Sequence, residues 1–516
     1  MAVIDKQDTR SPMIHEKVAY WATETPDAVA VRSAFETLTY SQMDCESNAL
    51  ADYLSAQGIK AGDLVGIFFQ PSVSTLVCII GILKCGAAYV PLDVANPASR
   101  LTLMIQQLPN LKLIFASTKT TDILKEMPLA VAEIESLRRQ LAEAPVAGAL
   151  ASTVREDDLC YTVFTSGTTG IPKAVAITHR SWANLIDWHV REYRLDQEAS
   201  GILVSAFGFD ISQRSLITPL YCGAAISLTI SSVFDGYEIV DIIERHRIRS
   251  IHLAPSSLYL IIQAGQDGDR LATLRHLFIG GETLATARVM DWARKKGPAC
   301  NLIHQYGVAE CTDVATSYTM SDYQAYLAEG IPMGSPVGNC RVDILDEEDR
   351  PVVMGGVGQI VISGMGVGRG YLNNPVLQAE RFRDVPIDGV VCRAYFTGDY
   401  ARRVSDDKSI CLGRRDNQIK IRGMLVNLSE IENGVRNVLP AVEDAIVLNT
   451  QTVAGQDPEL TAFVATADEL PALREIGHRL GSLLPRHMHP RRYVACKQFP
   501  LTQNGKINRQ ALLGMV

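Results

Sequence analysis

Short runs rich in β-branched and aliphatic residues, such as Leu64 to Phe68, Ser250 to Leu253 and Gly358 to Ile362, alternate along this chain with amphipathic stretches such as Ile239 to His246. The short runs suit single buried strands, whereas the stretch at 239–246 repeats its apolar positions with a helical period. A chain that keeps switching between these periods buries both kinds of element in α/β layers, with helices packed on sheets. At 516 residues it exceeds what one hydrophobic core organises, so a large domain with a smaller companion is expected. Hydrophobic residues make up 47% and charged residues 21%, which is ordinary globular usage and excludes a disordered chain.

Between Gly413 and Gly423 the segment GRRDNQIKIRG is dense in charge and bounded by glycines, a composition suited to an exposed connection. A boundary is therefore expected near Asp416, dividing residues 1–415 from residues 416–516. The second part opens on a helix-like SEIENGVRNVL and ends in a polar loop, LTQNGKINR, which suffices for a small α+β domain. Formal net charge is -8, which argues against nucleic acid or anionic membrane as partner and favours small molecules. Eleven cysteines lie scattered from Cys45 to Cys496 without a CxxC pair, so neither a disulfide framework nor a zinc site is signalled and a reducing cytoplasm is the expected location. The opening MAVIDKQDTRSPMIHEK lacks the apolar stretch of a secretory signal. Leu76 to Leu83 is too short to cross a bilayer and reads as a buried helix.

The strongest chemical signal is at 159–179, LCYTVFTSGTTGIPKAVAITH, where a β-prone run leads into a loop of glycines and hydroxyl residues and then a lysine. Backbone N–H groups freed by Gly167 and Gly170, hydroxyls of Thr165, Ser166, Thr168 and Thr169, and the Lys173 ammonium can all meet phosphate oxygens. This is a polyphosphate cradle without the GK[ST] of a Walker loop, and GMGVGRG at 364–370 does not fit the dinucleotide fingerprint either.

That loop resembles the signature of the adenylate-forming superfamily, which comprises nonribosomal peptide synthetase adenylation domains, acyl-CoA synthetases and luciferases. Nine further segments follow in that superfamily's order and spacing: LTYSQM at 38, LKCGAAYVPLD at 83, FDIS at 209, HQYGVAE at 304, GVGRGYL at 366, YFTGDY at 395, GRRDNQIKIRG at 413, LPRHMHP at 484 and NGKINR at 504. The resemblance covers nearly the whole chain. It implies a large N-terminal core of β-sheets flanked by helices and a small mobile α+β C-terminal domain that turns about Asp416.

By the same resemblance the reaction is in-line attack of a carboxylate on the α-phosphorus of ATP, which asks the protein to position two anions and neutralise growing charge rather than to supply a nucleophile. The segment Thr165 to Lys173 would hold the β- and γ-phosphates, and Glu310 would offer Mg2+ the hard oxygen such an ion prefers. Tyr306 would stack on adenine, with Gly281 and His304 also on the nucleotide side. Asp399 would accept hydrogen bonds from the ribose hydroxyls, supported by Arg414. Lys506 would reach in from the small domain to stabilise transition-state charge, and withdraw when that domain rotates to admit a phosphopantetheine thiol. The chain departs from the usual pattern at Val308 and Ala309, where a hydroxyl normally meets the α-phosphate, at Ala174 and Gln359, and in MLVNLSEIE after Gly423, departures that allow for unusual catalysis.

Asp210 in FDIS decides which branch the resemblance favours. A buried carboxylate needs a cationic partner, and the α-ammonium of an amino acid supplies one; the competing assignment makes Asp210 the N-cap of a helix beginning ISQRSL. Motif offsets place the rest of the substrate pocket at Ile211, Arg214, His252, Phe278, Gly280, Gln305, Asp313 and Val314, a polar lining that disfavours an apolar amino acid. Arg214 paired with Asp313 would cancel into a neutral wall. The expected function is amino-acid adenylation followed by transfer to a phosphopantetheinylated carrier protein, with neighbouring synthetase domains or an MbtH-like protein as further partners. An acyl-CoA synthetase and a silent nucleotide-binding homologue are the competing readings. The absence of an HHxxxDG motif and of a carrier serine motif leads us to expect a unit that works in trans or within a larger synthetase.

Overall fold

The structure of the protein is a computed structural model. It describes residues 11–516 except 126, 144–153, 167–170, 232–233, 267–268, 297–298, 388, 415–417, 422, 440–441, 443, 452–458, 467–468 and 501–506. Gly167, Thr168, Thr169, Gly170, Asp416 and Lys506 therefore lie outside the described residues.

The apolar run Leu64–Phe68 is buried at every position and forms a central parallel strand between Ala88–Pro91 and Leu111–Ala116. Strands covered on both faces read as continuous apolar runs for this reason. The run expected to be a buried helix is one: Val73–Cys85, with every residue from Val73 to Leu83 buried. It supplies many of the side chains of a core that also draws on Val65, Ile67 and Tyr89 from this sheet and on Val31 and Ile226 from a second one.

Among the described residues the strands form sheets of nine, seven, five, three and two strands. The second large sheet carries Ser250–Leu253, His276–Gly280 and Asn301–Tyr306 in parallel, in the register His252 to Phe278 to Ile303. The strands Cys340–Leu345, Val357–Gly364, Phe382–Ile387, Val390–Arg403 and Ser409–Arg414 make the antiparallel five-stranded sheet. From Gln418 onward a separate core forms. The amphipathic helix Leu428–Val438 buries Ile431 and Val435 together with Ala445, Val447 and Ala462 of the three-stranded sheet. No helix among the described residues is long and apolar enough to cross a membrane.

Candidate active site

A cleft opens at the carboxyl ends of the parallel strands, where α/β sheets bind ligands because loops and helix N-termini converge there. It is lined by Thr165 from the glycine-rich hairpin, by Asp210, Ile211 and Arg214 from the helix Asp210–Tyr221, by Gly280 and Gly281, by Gln305 and Tyr306, by Glu310, Asp313 and Val314, and by Asp399 and Arg414. These positions are scattered along the chain from 165 to 414, and the fold brings them around one space.

Each is positioned by its own local device. Thr165 and Lys173 face each other at the end of an antiparallel pair, and the cradle loop joins them. Lys173 Nζ lies 5.4 Å from the ring centre of Tyr371. The turn before the helix at Asp210 is tied by Gln213 Nε2 and Ser212 Oγ, which donate to the Phe207 carbonyl at 2.6 and 2.8 Å. Gly280 must lack a side chain, because a Cβ there would stand 2.9 Å from the Gln305 carbonyl oxygen. Gly281, at φ +86°, lies against the backbone of Gly423.

On the nucleotide side of the expected site, Tyr306 donates its hydroxyl to Asp399 Oδ2 at 2.7 Å, and Arg414 Nη1 stands 3.3 Å from Asp399 Oδ1. Strand pairing sets Arg414 directly opposite Asp399. Glu310 sits in a short 3-10 turn, buried, and its Oε1 accepts from the Tyr371 hydroxyl at 2.7 Å; that hydroxyl is also 3.0 Å from Tyr395. No cluster of three or more metal-ligating side chains occurs among the described residues. One hard carboxylate oxygen fits a Mg2+ ion held chiefly by substrate phosphates, the usual way this ion is bound.

Asp210 is the first residue of its helix rather than the N-cap; that position is Phe209, which makes no side-chain capping hydrogen bond. Its Oδ1 accepts from the Ile211 N–H at 2.8 Å, and no described side chain forms an ion pair with it. Burial, reinforced by the nearby Asp313, pushes its carboxyl up to about 7. Arg214 and Asp313 do pair, Nε to Oδ2 at 2.5 Å, while Nη1 donates to Gln305 Oε1 at 2.7 Å.

Among the described residues, five expected site residues do not line the cleft: Ser166, Lys173, His252, Phe278 and His304. His252 and Phe278 lie in an aromatic cluster with His189, with ring centres 4.8 Å apart for His252–Phe278 and 4.2 Å for His189–Phe278. Burial together with the nearby Arg214 pushes the imidazoles of His189 and His252 well below their usual range, so they are uncharged. His304 has its Nδ1 3.1 Å from the Pro332 carbonyl oxygen.

Other residues line the cleft that the sequence motifs do not single out. Lys420, Gly423 and Leu425 belong to the hairpin Gln418–Ile421 and Met424–Asn427, which lies over the cleft. Ser166 Oγ donates to the Leu425 carbonyl at 2.7 Å and the Gly423 N–H to Glu282 Oε1 at 2.7 Å. Lys420 Nζ is 5.9 Å from the ring centre of Tyr306. The signal is present in the charged GRRDNQIKIRG segment, which composition alone presents as a linker.

Fold and cleft together define an α/β protein with one cleft that gathers Asp210, Glu310, Asp313, Asp399, Arg214, Arg414 and Lys420. Residues 18–372 match the model of the family described as AMP-binding enzyme, and the chain belongs to that family. It is 36% identical over 501 residues to one of the linear gramicidin synthase subunits of Brevibacillus parabrevis, a match that spans 97% of this chain and 6% of that relative. Among solved structures it superposes with a TM-score of 0.85, at 26% identity, on an NRPS protein containing adenylation and PCP domains bound to a vinylsulfonamide inhibitor, covering 98% of this chain and 84% of that one. The o-succinylbenzoate CoA synthetase of Bacillus subtilis shares the fold at a TM-score of 0.82 and 17% identity, covering 96% and 98% of the two chains.

Proposed function

We propose that this cleft activates an amino acid with a polar side chain as its aminoacyl-AMP and then passes it to a carrier-protein thiol. The observation that carries the reading is Asp210, a half-buried carboxylate that lines the cleft in no ion pair with a described side chain, Lys420 acting on it only at a distance. An α-ammonium gives it the missing counter-charge. In the first half-reaction a carboxylate oxygen of the amino acid bonds to the α-phosphorus of ATP as the bond to pyrophosphate breaks. Thr165 and the loop to Lys173 hold the departing phosphates, Tyr306 and Gly281 flank adenine with His304 behind them, and Asp399 with Arg414 holds the ribose. Mg2+ bound through Glu310 would offset phosphate charge.

In the second half-reaction the thiolate attacks the activated carbonyl, a C–S bond forms and AMP leaves. The hairpin that carries Lys420 over the cleft supports this step, since residues 416–516 then have one arrangement that presents the hairpin and another that would present Lys506. The relatives that are synthetase subunits many times this length support a carrier domain and neighbouring synthetase domains as partners; an MbtH-like protein and a cytoplasmic setting are part of the same proposal.

Mass spectrometry of the products tests the whole scheme. Incubation with ATP, amino acid and a phosphopantetheinylated carrier protein is expected to yield AMP, pyrophosphate and an aminoacyl thioester on the carrier. With coenzyme A added in competition with the carrier, free acyl-CoA as the preferred product would replace the scheme with a CoA ligase. Tyr371→Phe, which removes the donor on Glu310, is expected to lower the adenylation rate about tenfold, the size of a hydrogen bond to a charged group, and to raise the Mg2+ concentration needed for half-maximal rate. A variant changed only in melting temperature would assign Tyr371 to packing.

A further inference from the structure

The floor of the cleft is a charged lattice that cancels itself. Arg214 is 1% exposed, yet only Nε and Nη1 of its guanidinium are engaged, by Asp313 and Gln305; no hydrogen bond joins Nη2 to a described residue. Gln305 is fixed in this orientation, because its Nε2 donates to Ser317 Oγ at 3.2 Å. Asp313 is delivered by two successive non-glycine residues in the left-handed region, Thr312 at φ 61° and Asp313 at φ 68°, pinned by Thr312 Oγ1 donating to the Gly366 carbonyl at 2.7 Å. Such a strained pair persists only where the surrounding structure holds it. Asp313 uses Oδ2 for Arg214, and no described residue hydrogen-bonds its Oδ1. Arg214 and Asp313 both line the cleft, and their hydrogen bonds to described residues leave over one donor, Arg214 Nη2, and one acceptor, Asp313 Oδ1. His189 and His252 nearby are uncharged and add nothing to the balance.

Charge then selects among side chains, granted the amino-acid reading above, on which this inference rests. The ammonium offsets Asp210, on which the more distant Lys420 also acts, and Arg214 offsets Asp313. A carboxylate side chain would compete with Asp313 for the guanidinium and leave one buried negative charge; a cationic one would leave a buried positive charge; an alkyl one would cover Nη2 and Oδ1 without satisfying either. Arg214 follows Asp210 by one helical turn, about 5–6 Å along the axis, so one helix face addresses both ends of a short amino acid. We propose that the activated amino acid is neutral and ends in a carboxamide, whose carbonyl accepts from Arg214 Nη2 and whose NH2 donates to Asp313 Oδ1.

The test is ATP–pyrophosphate exchange by the wild-type chain with asparagine, glutamine, aspartate, glutamate, lysine, leucine and the deamino analogues of the two amides. One of the amides is expected to exceed its isosteric acid, and lysine and leucine, by at least tenfold in kcat/KM. Equal or better turnover of an acid, of lysine or of leucine overturns the carboxamide assignment while leaving amino-acid activation standing. Exchange driven only by deamino acids overturns both. Asp313→Asn, which keeps size and tolerates the left-handed backbone, leaves Arg214 as a net cation and is expected to move the amide-to-acid ratio at least tenfold toward the acid. An unmoved ratio in a folded variant overturns the pairing role of Asp313, and the wild-type ratios decide the matter should that variant not fold.

Discussion

Asp210→Ala is expected to lower kcat/KM for the activated amino acid by roughly a hundredfold or more while barely affecting its deamino analogue. Removing one partner of a buried ion pair costs about 3–5 kcal/mol, because the surviving charge is stranded, and each 1.4 kcal/mol is about a factor of ten. The analogue has no ammonium to strand. If Asp210 serves the helix instead, both substrates suffer alike and only about 1 kcal/mol of stability is lost.

The same residue gives a pH signature in the ligand-free protein. The Asp210 carboxyl is held at about 7 in the fold by burial first and by Asp313 second, against about 3.9 in an unfolded chain. Between these values the native state binds the extra proton, so wild-type stability declines as pH rises through the window from about 4 to 7 and the full penalty is present above it. A gap of that size corresponds to roughly 4 kcal/mol. Asp210→Asn keeps the acceptor for the Ile211 N–H and lacks the charge. Its melting temperature is expected to match wild type near pH 4 and exceed it increasingly up to pH 8, in parallel with loss of amino-acid activation. A constant difference across that range would mean that the carboxylate is already compensated.

The second large effect concerns the joint between the core and the C-terminal part. Arg100, on the helix Ala98–Gln106, pairs with Glu430 on the helix Leu428–Val438, with side-chain exposures of 11% and 2%. Ser99 Oγ adds a hydrogen bond to the Ser482 carbonyl at 2.7 Å. Burial raises the Glu430 carboxyl and Arg100 opposes that rise, while Glu430 Oε2 has no hydrogen-bond partner among the described residues. Arg100→Met would leave Glu430 buried beside no cation. At about 3–5 kcal/mol for a broken buried pair, the arrangement that carries the hairpin over the cleft should lose a hundredfold or more in population. Thiol loading is then expected to fall by that order with adenylation nearly intact. Adding Glu430→Leu should restore loading, since a buried pair exchanged for apolar side chains is often neutral. Equal loss in both half-reactions, with no rescue in the double variant, would separate this contact from domain arrangement.

What could be read from the sequence follows the range of the interactions involved. Leu64–Phe68, Val73–Cys85 and Leu428–Val438 declare themselves because burial of neighbouring residues in the chain imposes a period. The expected cradle is a signal contained in one loop, of which Gly167, Thr168, Thr169 and Gly170 lie outside the described residues. The fate of His252 and Phe278 is not legible, because it depends on ring packing with His189 of another element and on Arg214 being held by Gln305 and Asp313. Tyr371, 61 residues beyond Glu310, is likewise linked to it only by folding. Lys420 is visible as a charge in a polar segment, but its place in the cleft follows from how the hairpin packs against Ser166 and Glu282.

The central claim is that this cleft adenylates an acid because that acid carries an α-ammonium. Exchange of labelled pyrophosphate into ATP, measured on the wild-type chain with a saturating amino acid and then with its deamino analogue, tests it most directly. The account predicts exchange that depends on the amino acid and falls by two orders of magnitude or more with the analogue; equal exchange with both would contradict it.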